Sequence, residues 1–192
     1  MNKEVIEILT EEPSMEYFLR GLLPRILPAD YALDINCFIR PHSGKSDLQK
    51  SIPKKMRAYP RFGYPIKVLI IHDQDSNNCV ELKDALVDLT NLTIHDIPCV
   101  VRIACKELEN WYLGDFFSLE RIYSEIDASK ETRKAKFRNP DHVFGANEIE
   151  KLTNRFSKTV TAREIGSIID IAGNKSQSFQ HFVSGISKLI SL

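Results

Sequence analysis

Two aspartates, Asp73 and Asp75, directly follow the apolar, β-branched run Ile66-Lys67-Val68-Leu69-Ile70-Ile71, and a glutamate, Glu11, follows a second such run, Val5-Ile6-Glu7-Ile8-Leu9. Acids placed where the chain leaves a sheet can meet if the two strands are neighbours. Ionised carboxylates within ~4 Å of one another repel by about 4 kcal/mol at the effective dielectric of a protein, so such a cluster takes up protons or binds a cation. Mg²⁺ is the natural choice, with Mn²⁺ as its substitute, because it is hard, oxygen-seeking and commonly held by one or two carboxylates plus water and substrate phosphate. An ion held there can polarise a phosphoryl oxygen and orient a water nucleophile, which is the chemistry of phosphodiester cleavage. Glu11 is then the catalytic base or a ligand, Asp73 and Asp75 are the metal ligands, and Asn77 and Glu107 are further candidates. The competing reading makes Asp73, Asp75 and Ser76 turn formers, Glu11 a solvated loop residue and Glu107 part of the exposed face of a short helix.

A nuclease must also hold a polyanion close to its acids. From Lys45 to Lys67 seven cations (Lys45, Lys50, Lys54, Lys55, Arg57, Arg61, Lys67) face one anion, Asp47, and Tyr59, Phe62 and Tyr64 are interleaved with them. That pattern suits a phosphate backbone, with aromatics to stack on bases. A second segment, Lys130 to Arg138, has five cations, among them Lys134, Lys136 and Arg138, against one anion. Either segment alone reads equally well as a solvated loop. Arg102, inside an apolar run, is expected to contact phosphate or, by preference, to form a buried salt bridge.

The elements that must position these residues alternate. A strand over Val5 to Leu9 is followed by a helix carrying Phe18, Leu22, Leu23, Ile26 and Leu27, with Ser14 as its expected N-cap and Pro28 beyond its end. Tyr31 to Ile39 reads as a second strand, Ile66 to Ile71 as a third buried on both faces, and Cys99 to Cys105 as a fourth, with a helix over Val80 to Leu89 before it. Two helices broken at Gly114, with Asp115 as cap, precede further helical stripes to the C-terminus. The expectation is an α/β fold with a mostly parallel sheet between helices, a core over residues 1–128 and a helical extension, 129–192, packed on it. Ligands in such sheets collect beyond the carboxyl ends of the strands.

Composition excludes several alternatives. The 192 residues carry 26 Lys+Arg and 26 Asp+Glu, a formal net charge of +0, so no uniformly basic surface exists. Cys37, Cys79, Cys99 and Cys105 form no C-x-x-C pair, and His42, His72, His95, His142 and His181 form no H-x-x-x-H, which speaks against zinc and against a disulfide framework. Acids interrupt the N-terminal Met1-Asn2-Lys3-Glu4 stretch before an apolar leader can form, and no run approaches a membrane span, so a cytoplasmic protein is expected. Gly44-Lys45-Ser46 is not a Walker A end: the first required glycine falls on Ile39, and no apolar helical stripe is expected after it. Asp73-x-Asp75-x-Asn77 departs from a calcium-binding loop at Asn78 and Asp84.

Glu11-Glu12-Pro13-Ser14 and Val68-Leu69-Ile70-Ile71-His72-Asp73-Gln74-Asp75 resemble the Glu and Asp-x-Asp motifs of the Toprim domain of topoisomerases, primases and related nucleases. Further segments resemble domain-of-unknown-function family 4276 over nearly the whole chain: Leu22 to Pro28, Gly44 to Leu48, Val101 to Ala104, Glu107-Leu108-Glu109-Asn110-Trp111, Phe137 to Pro140 and Asn174 to Phe179. That family is regarded as Toprim-like and prokaryotic and is often encoded beside ATPases in mobile or defence-related neighbourhoods. The resemblance implies a Toprim-like Rossmannoid core and a metal-dependent nuclease acting as a defence or toxin effector with an ATPase partner, with Glu11 as the Toprim glutamate and Asp73 and Asp75 as its metal-binding aspartates. Two positions depart from the pattern: Glu12 stands where Toprim turns often have Gly, and Asn77 where some members have a third acid. The alternatives are a non-catalytic nucleic-acid-binding or regulatory module and another metal-dependent phosphoryl transfer.

Overall fold

The structure, a computed structural model, describes residues 4–91 and 97–192; the readings of Met1-Asn2-Lys3 and His95 fall outside the described residues. Four strands, β1 (Val5–Thr10), β2 (Cys37–Pro41), β3 (Ile66–Asp73) and β4 (Cys99–Ala104), form one sheet in the order β2-β1-β3-β4, every pair parallel. Between the strands run α1 (Pro13–Ile26), α2 (Lys45–Ala58) and α3 (Cys79–Thr90). After β4 come α4 (Glu109–Leu113), α5 (Phe116–Ile122), α6 (Ala128–Glu131), α7 (Gly145–Glu150), α8 (Lys158–Ile165) and α9 (Gln177–Ser191).

The strand period of two sorts the apolar residues onto two faces. Ile6, Ile8, Leu69, Ile71, Val100 and Ala104 face a cluster built from Phe18 and Leu22 of α1, Trp111 of α4 and Phe179 and Phe182 of α9. Val5, Leu9, Val68, Ile70, Val101 and Ile103 face Leu48, Ile52 and Met56 of α2 and Leu86 of α3. β3 is buried along its whole length, as a central parallel strand must be. Each large apolar side chain so enclosed contributes roughly 1.5–3 kcal/mol. Residues of α8 and α9 belong to the first cluster, so the C-terminal helices and the sheet share one core. No helix among the described residues is long and apolar enough to cross a membrane.

Three local expectations are corrected. β2 starts at Cys37, not Tyr31, because the buried Asn36 ties the preceding turn together: its Oδ1 accepts from Ala32 N and its Nδ2 donates to the carbonyls of Glu4 and Asp30. Ser14 is not the N-cap of α1. Pro13, which lacks an N–H and has a helical φ, takes the first helical position, Glu12 becomes the cap residue, and Ser14 Oγ donates to Glu12 Oε1 (2.7 Å). A helix does follow Gly44: Leu48, Ile52 and Met56 recur at i, i+4 and i+8 as the buried stripe of α2.

α1 and α8 cross closely because glycines stand at the contact. A Cβ on Gly166 would lie 2.2 Å from the carbonyl oxygen of Phe18, and one on Gly21 would lie 2.6 Å from Ser167 N. Gly166→Ala is therefore expected to destabilise the fold by about 2 kcal/mol through forced separation of the helices. Urea unfolding checks this as a lowered midpoint at unchanged slope.

Candidate functional site

β1 and β3 are adjacent with Thr10 opposite Ile71, so Glu11 and Asp73 leave the same edge of the sheet side by side. Glu11 Oε2 accepts a hydrogen bond from the backbone N of Asp73 (3.3 Å) and lies 3.0 Å from His72 Nδ1. His72 is enclosed; its Nε2 lies 3.3 Å from the Gln49 side-chain nitrogen and its Nδ1 2.6 Å from the carbonyl oxygen of Asp73. The tautomer with the proton on Nδ1 satisfies this whole set: Gln49 donates to Nε2, and Nδ1–H points at the Glu11 carboxylate and the Asp73 carbonyl. His72 thus fixes the orientation of Glu11. Burial raises the pKa of Glu11, while His72 pulls it the other way.

Asp73 is only 8% exposed, and its Oδ1 has no hydrogen-bond partner among the described residues. Burial, then the neighbouring Glu109 and Glu11 carboxylates, push its pKa well above the ordinary range. Glu109 is more extreme. It is 0% exposed, neither carboxylate oxygen has a hydrogen-bond partner among the described residues, and burial pushes its pKa up to about 7 despite Lys158, whose Nζ lies 3.6 Å from Oε1. The hydroxyl of Tyr112, also enclosed and unpartnered, feels the charges of both Glu109 and Asp73. Buried polar atoms are almost always hydrogen-bonded, so several orphaned oxygens at one end of a sheet mark a place where something else binds or protons are stored.

The other predicted ligands are engaged elsewhere. Asp75, at a left-handed φ of 52°, turns its carboxylate to Lys45 Nζ (3.3 Å), while its N–H donates to the carbonyl of Lys106, itself at φ 60°. Asn77 Nδ2 donates to the Gln74 carbonyl (2.9 Å). Glu107 Oε1 accepts from Ala146 N (2.7 Å), in the first turn of α7, where a carboxylate satisfies an otherwise open amide. Glu11, Asp73 and Glu109 are thus brought close, Glu107 stands beside them with its Oε2 3.8 Å from the Lys158 Nζ that also faces Glu109, and Asp75 and Asn77 face other partners. Among the described residues no three His, Cys, Asp or Glu side chains converge tightly enough to hold a metal as they stand.

The basic residues divide in the same way. Lys50, Lys54 and Arg57 lie at i, i+4 and i+7 on the solvent face of α2, and Arg61 continues the exposed line, with no carboxylate partner among the described residues. Lys55 is half-buried on the flank of that line. α2 begins beside the acids, since Gly44 N donates to the Glu11 carbonyl (2.9 Å). Of the interleaved aromatics, Phe62 and Tyr64 are exposed, but Tyr59 is buried with its hydroxyl on Glu7, so it is not a base-stacking residue. In the second segment Lys134 pairs with Glu131 and Lys136 with Glu148, leaving Lys130, Arg133 and Arg138 exposed and without a carboxylate partner among the described residues. Arg102 forms no salt bridge among the described residues; it donates instead to the carbonyls of His181 (2.7 Å) and Val101 (2.9 Å).

Reading the sequence missed Glu109, His72, Gln49 and Lys158 as parts of this site. Only a partial signal for Glu109 was available: with Asn110 it stands between Leu108 and the apolar Trp111-Tyr112-Leu113, next to a stretch that packs inward. His72 was read only as the end of a strand.

A family model described as a domain of unknown function (DUF4276) matches residues 10–187. No curated protein and no solved structure matches the chain.

Proposed function

The chain belongs to the DUF4276 family, and within it we propose a Toprim-like, divalent-metal-dependent nuclease that cleaves nucleic-acid phosphodiesters at the carboxyl ends of β1 and β3. The observation that carries the reading is the set of buried, unpartnered oxygens on Asp73 and Glu109 beside Glu11, a donor set whose hardness and negative charge suit Mg²⁺ or Mn²⁺. Asp73 would hold the ion, joined by Asp75 once that carboxylate is released from Lys45. When bound, the ion would supply positive charge at a phosphoryl oxygen.

The chain's own residues divide the remaining work. Glu11, held by His72 Nδ1–H and raised in basicity by burial, takes the proton of the attacking water at its free carboxylate oxygen. Glu109 and Lys158 form the inner wall and set the charge balance behind Asp73. The line Lys50, Lys54, Arg57 and Arg61 leads a phosphate backbone toward Glu11 along α2. All four cysteines are free thiols, which supports a reducing, cytoplasmic setting. The ATPase partner and the defence role rest on the family resemblance alone.

Calorimetric titration with Mg²⁺ and Mn²⁺, paired with cleavage of DNA, RNA and plasmid substrates, tests the reading. Binding and cleavage lost together in Glu11→Gln or Asp73→Asn support it; a folded wild type that binds nucleic acid but neither metal nor turnover rejects it. The triple variant Lys50→Glu/Lys54→Glu/Arg57→Glu is expected to weaken nucleic-acid binding at least tenfold and to reduce the slope of log affinity against log salt by about 2–3. Filter binding between 50 and 200 mM salt, roughly the range over which such slopes are read, measures it. The Lys45–Asp75 pair favours the second reading, a regulatory module that keeps the basic helix while its acids are tied up.

A further inference from the structure

We propose that the cleft along the open edge of β4 binds a small phosphate ester bearing an apolar or aromatic group, of the size of a nucleoside monophosphate, at a site separate from the acidic cluster. The cleft encloses about 770 Å³, within the range of ~300–1,000 Å³ usual for small-ligand sites. Among the described residues β4 has a neighbouring strand on one side only, and α3 and α9, packed on opposite faces of the sheet, wall the other. Val80, which is exposed, gives this space apolar surface over the buried Val101 and Ile103, and Lys83, Arg102 and Lys106 give it positive charge.

Arg102 is the anchor. Two of its nitrogens donate to main-chain carbonyls, which fixes the plane of the guanidinium but leaves its charge unopposed, since no carboxylate among the described residues pairs with it. Half-burial disfavours an unopposed charge, and the direction of its pKa, lowered by burial with no acid to raise it again, reports the same imbalance. The fold reserves room for the group: a Cβ on Gly185 of α9 would lie 2.3 Å from Arg102 Nε. Lys83 and Lys106 likewise pair with no carboxylate among the described residues. Two acids line the cleft, Asp84 and Asp141, the latter accepting from Ser176 Oγ (2.6 Å) and Ser178 N (2.8 Å) at the start of α9, so three cations face two carboxylates. A phosphate on the guanidinium, with the rest of the ligand against the exposed side chain of Val80, satisfies both the charge and the apolar surface.

Calorimetry of the full chain in EDTA with 5′-AMP, adenosine and inorganic phosphate tests this. AMP is expected to bind at least tenfold tighter than either fragment, and Arg102→Gln is expected to weaken it at least tenfold. Lys83→Glu, on the exposed side of α3 where folding is not at stake, is expected to weaken AMP severalfold, while Asp73→Asn leaves it unchanged. The proposal is overturned if wild type does not bind AMP, if AMP binds no tighter than adenosine, or if Lys83→Glu has no effect. Loss of AMP binding in Asp73→Asn also overturns it, by moving the ligand to the acidic cluster.

Discussion

Asp73→Asn is expected to lower Mg²⁺-dependent phosphodiester cleavage by about a thousandfold or more while leaving the protein folded and more stable than wild type at pH 8. A thousandfold loss corresponds to about 4 kcal/mol of transition-state stabilisation, the scale of removing the charge that holds a catalytic cation. The gain in stability has the opposite origin. The Asp73 carboxyl is buried among other acids with Oδ1 unpartnered, which raises its folded pKa above its unfolded one. Ionising it at high pH therefore opposes folding, and an isosteric amide removes that term. Initial rates over a range of Mg²⁺ concentrations, with thermal unfolding of both proteins at pH 8, measure the two effects. Residual cleavage within tenfold of wild type would remove Asp73 from the catalytic centre.

Glu109→Gln is the second large effect, and its signature is a pH profile. The folded-state pKa of Glu109 is pushed up to about 7 from an ordinary 4.5. Between those values the folded protein holds a proton that the unfolded chain has released, so stability falls as pH rises from 4.5 to 7, and the loss is complete above 7. The amplitude is roughly 3 kcal/mol. Gln has no proton to lose, so the variant is expected to match wild type near pH 4.5 and to exceed it by roughly 2–3 kcal/mol at pH 8. Lys158, nearly half exposed, remains solvated when its partner is gone. Urea midpoints across this range decide the matter: a difference between the proteins that does not change with pH would sink the assignment. Added Mg²⁺ at pH 8 is expected to stabilise wild type more than the variant, because a cation near Asp73 relieves the same repulsion.

The alternation of strands and helices was legible because β3 is buried along its whole length, β4 is apolar apart from Arg102, and α1, α3 and α9 carry helical stripes. The placement of Glu11 beside Asp73 was legible only through the guess that their strands are neighbours, which the order β2-β1-β3-β4 now shows. Side-chain direction was not legible. Asp75 turning to Lys45, Glu107 to Ala146 and Tyr59 to Glu7 each depends on a partner distant in sequence, and no local pattern encodes that choice. β2 was misplaced for a related reason: the tie that delays it runs from Asn36 back to Glu4 and Asp30. The full burial of Glu109 follows from the helices of the last third closing over α4, α7 foremost with Lys158 of α8 beside the carboxylate, and these have no strand order to announce where they pack.

The borders of the sheet carry a consequence for self-association. A parallel sheet has two outer strands whose amides and carbonyls invite another chain to add itself, the first step toward ordered aggregates. β2 is short, five residues, and ends in Pro41 after the charged Arg40, both unfavourable to a newcomer. β4 is guarded by Arg102, whose guanidinium occupies the carbonyl of Val101, and by the two helices that stand along it. The same arginine that awaits an anion therefore also stops the sheet from growing, so Arg102→Val is expected to leave a sticky strand where wild type has a capped one.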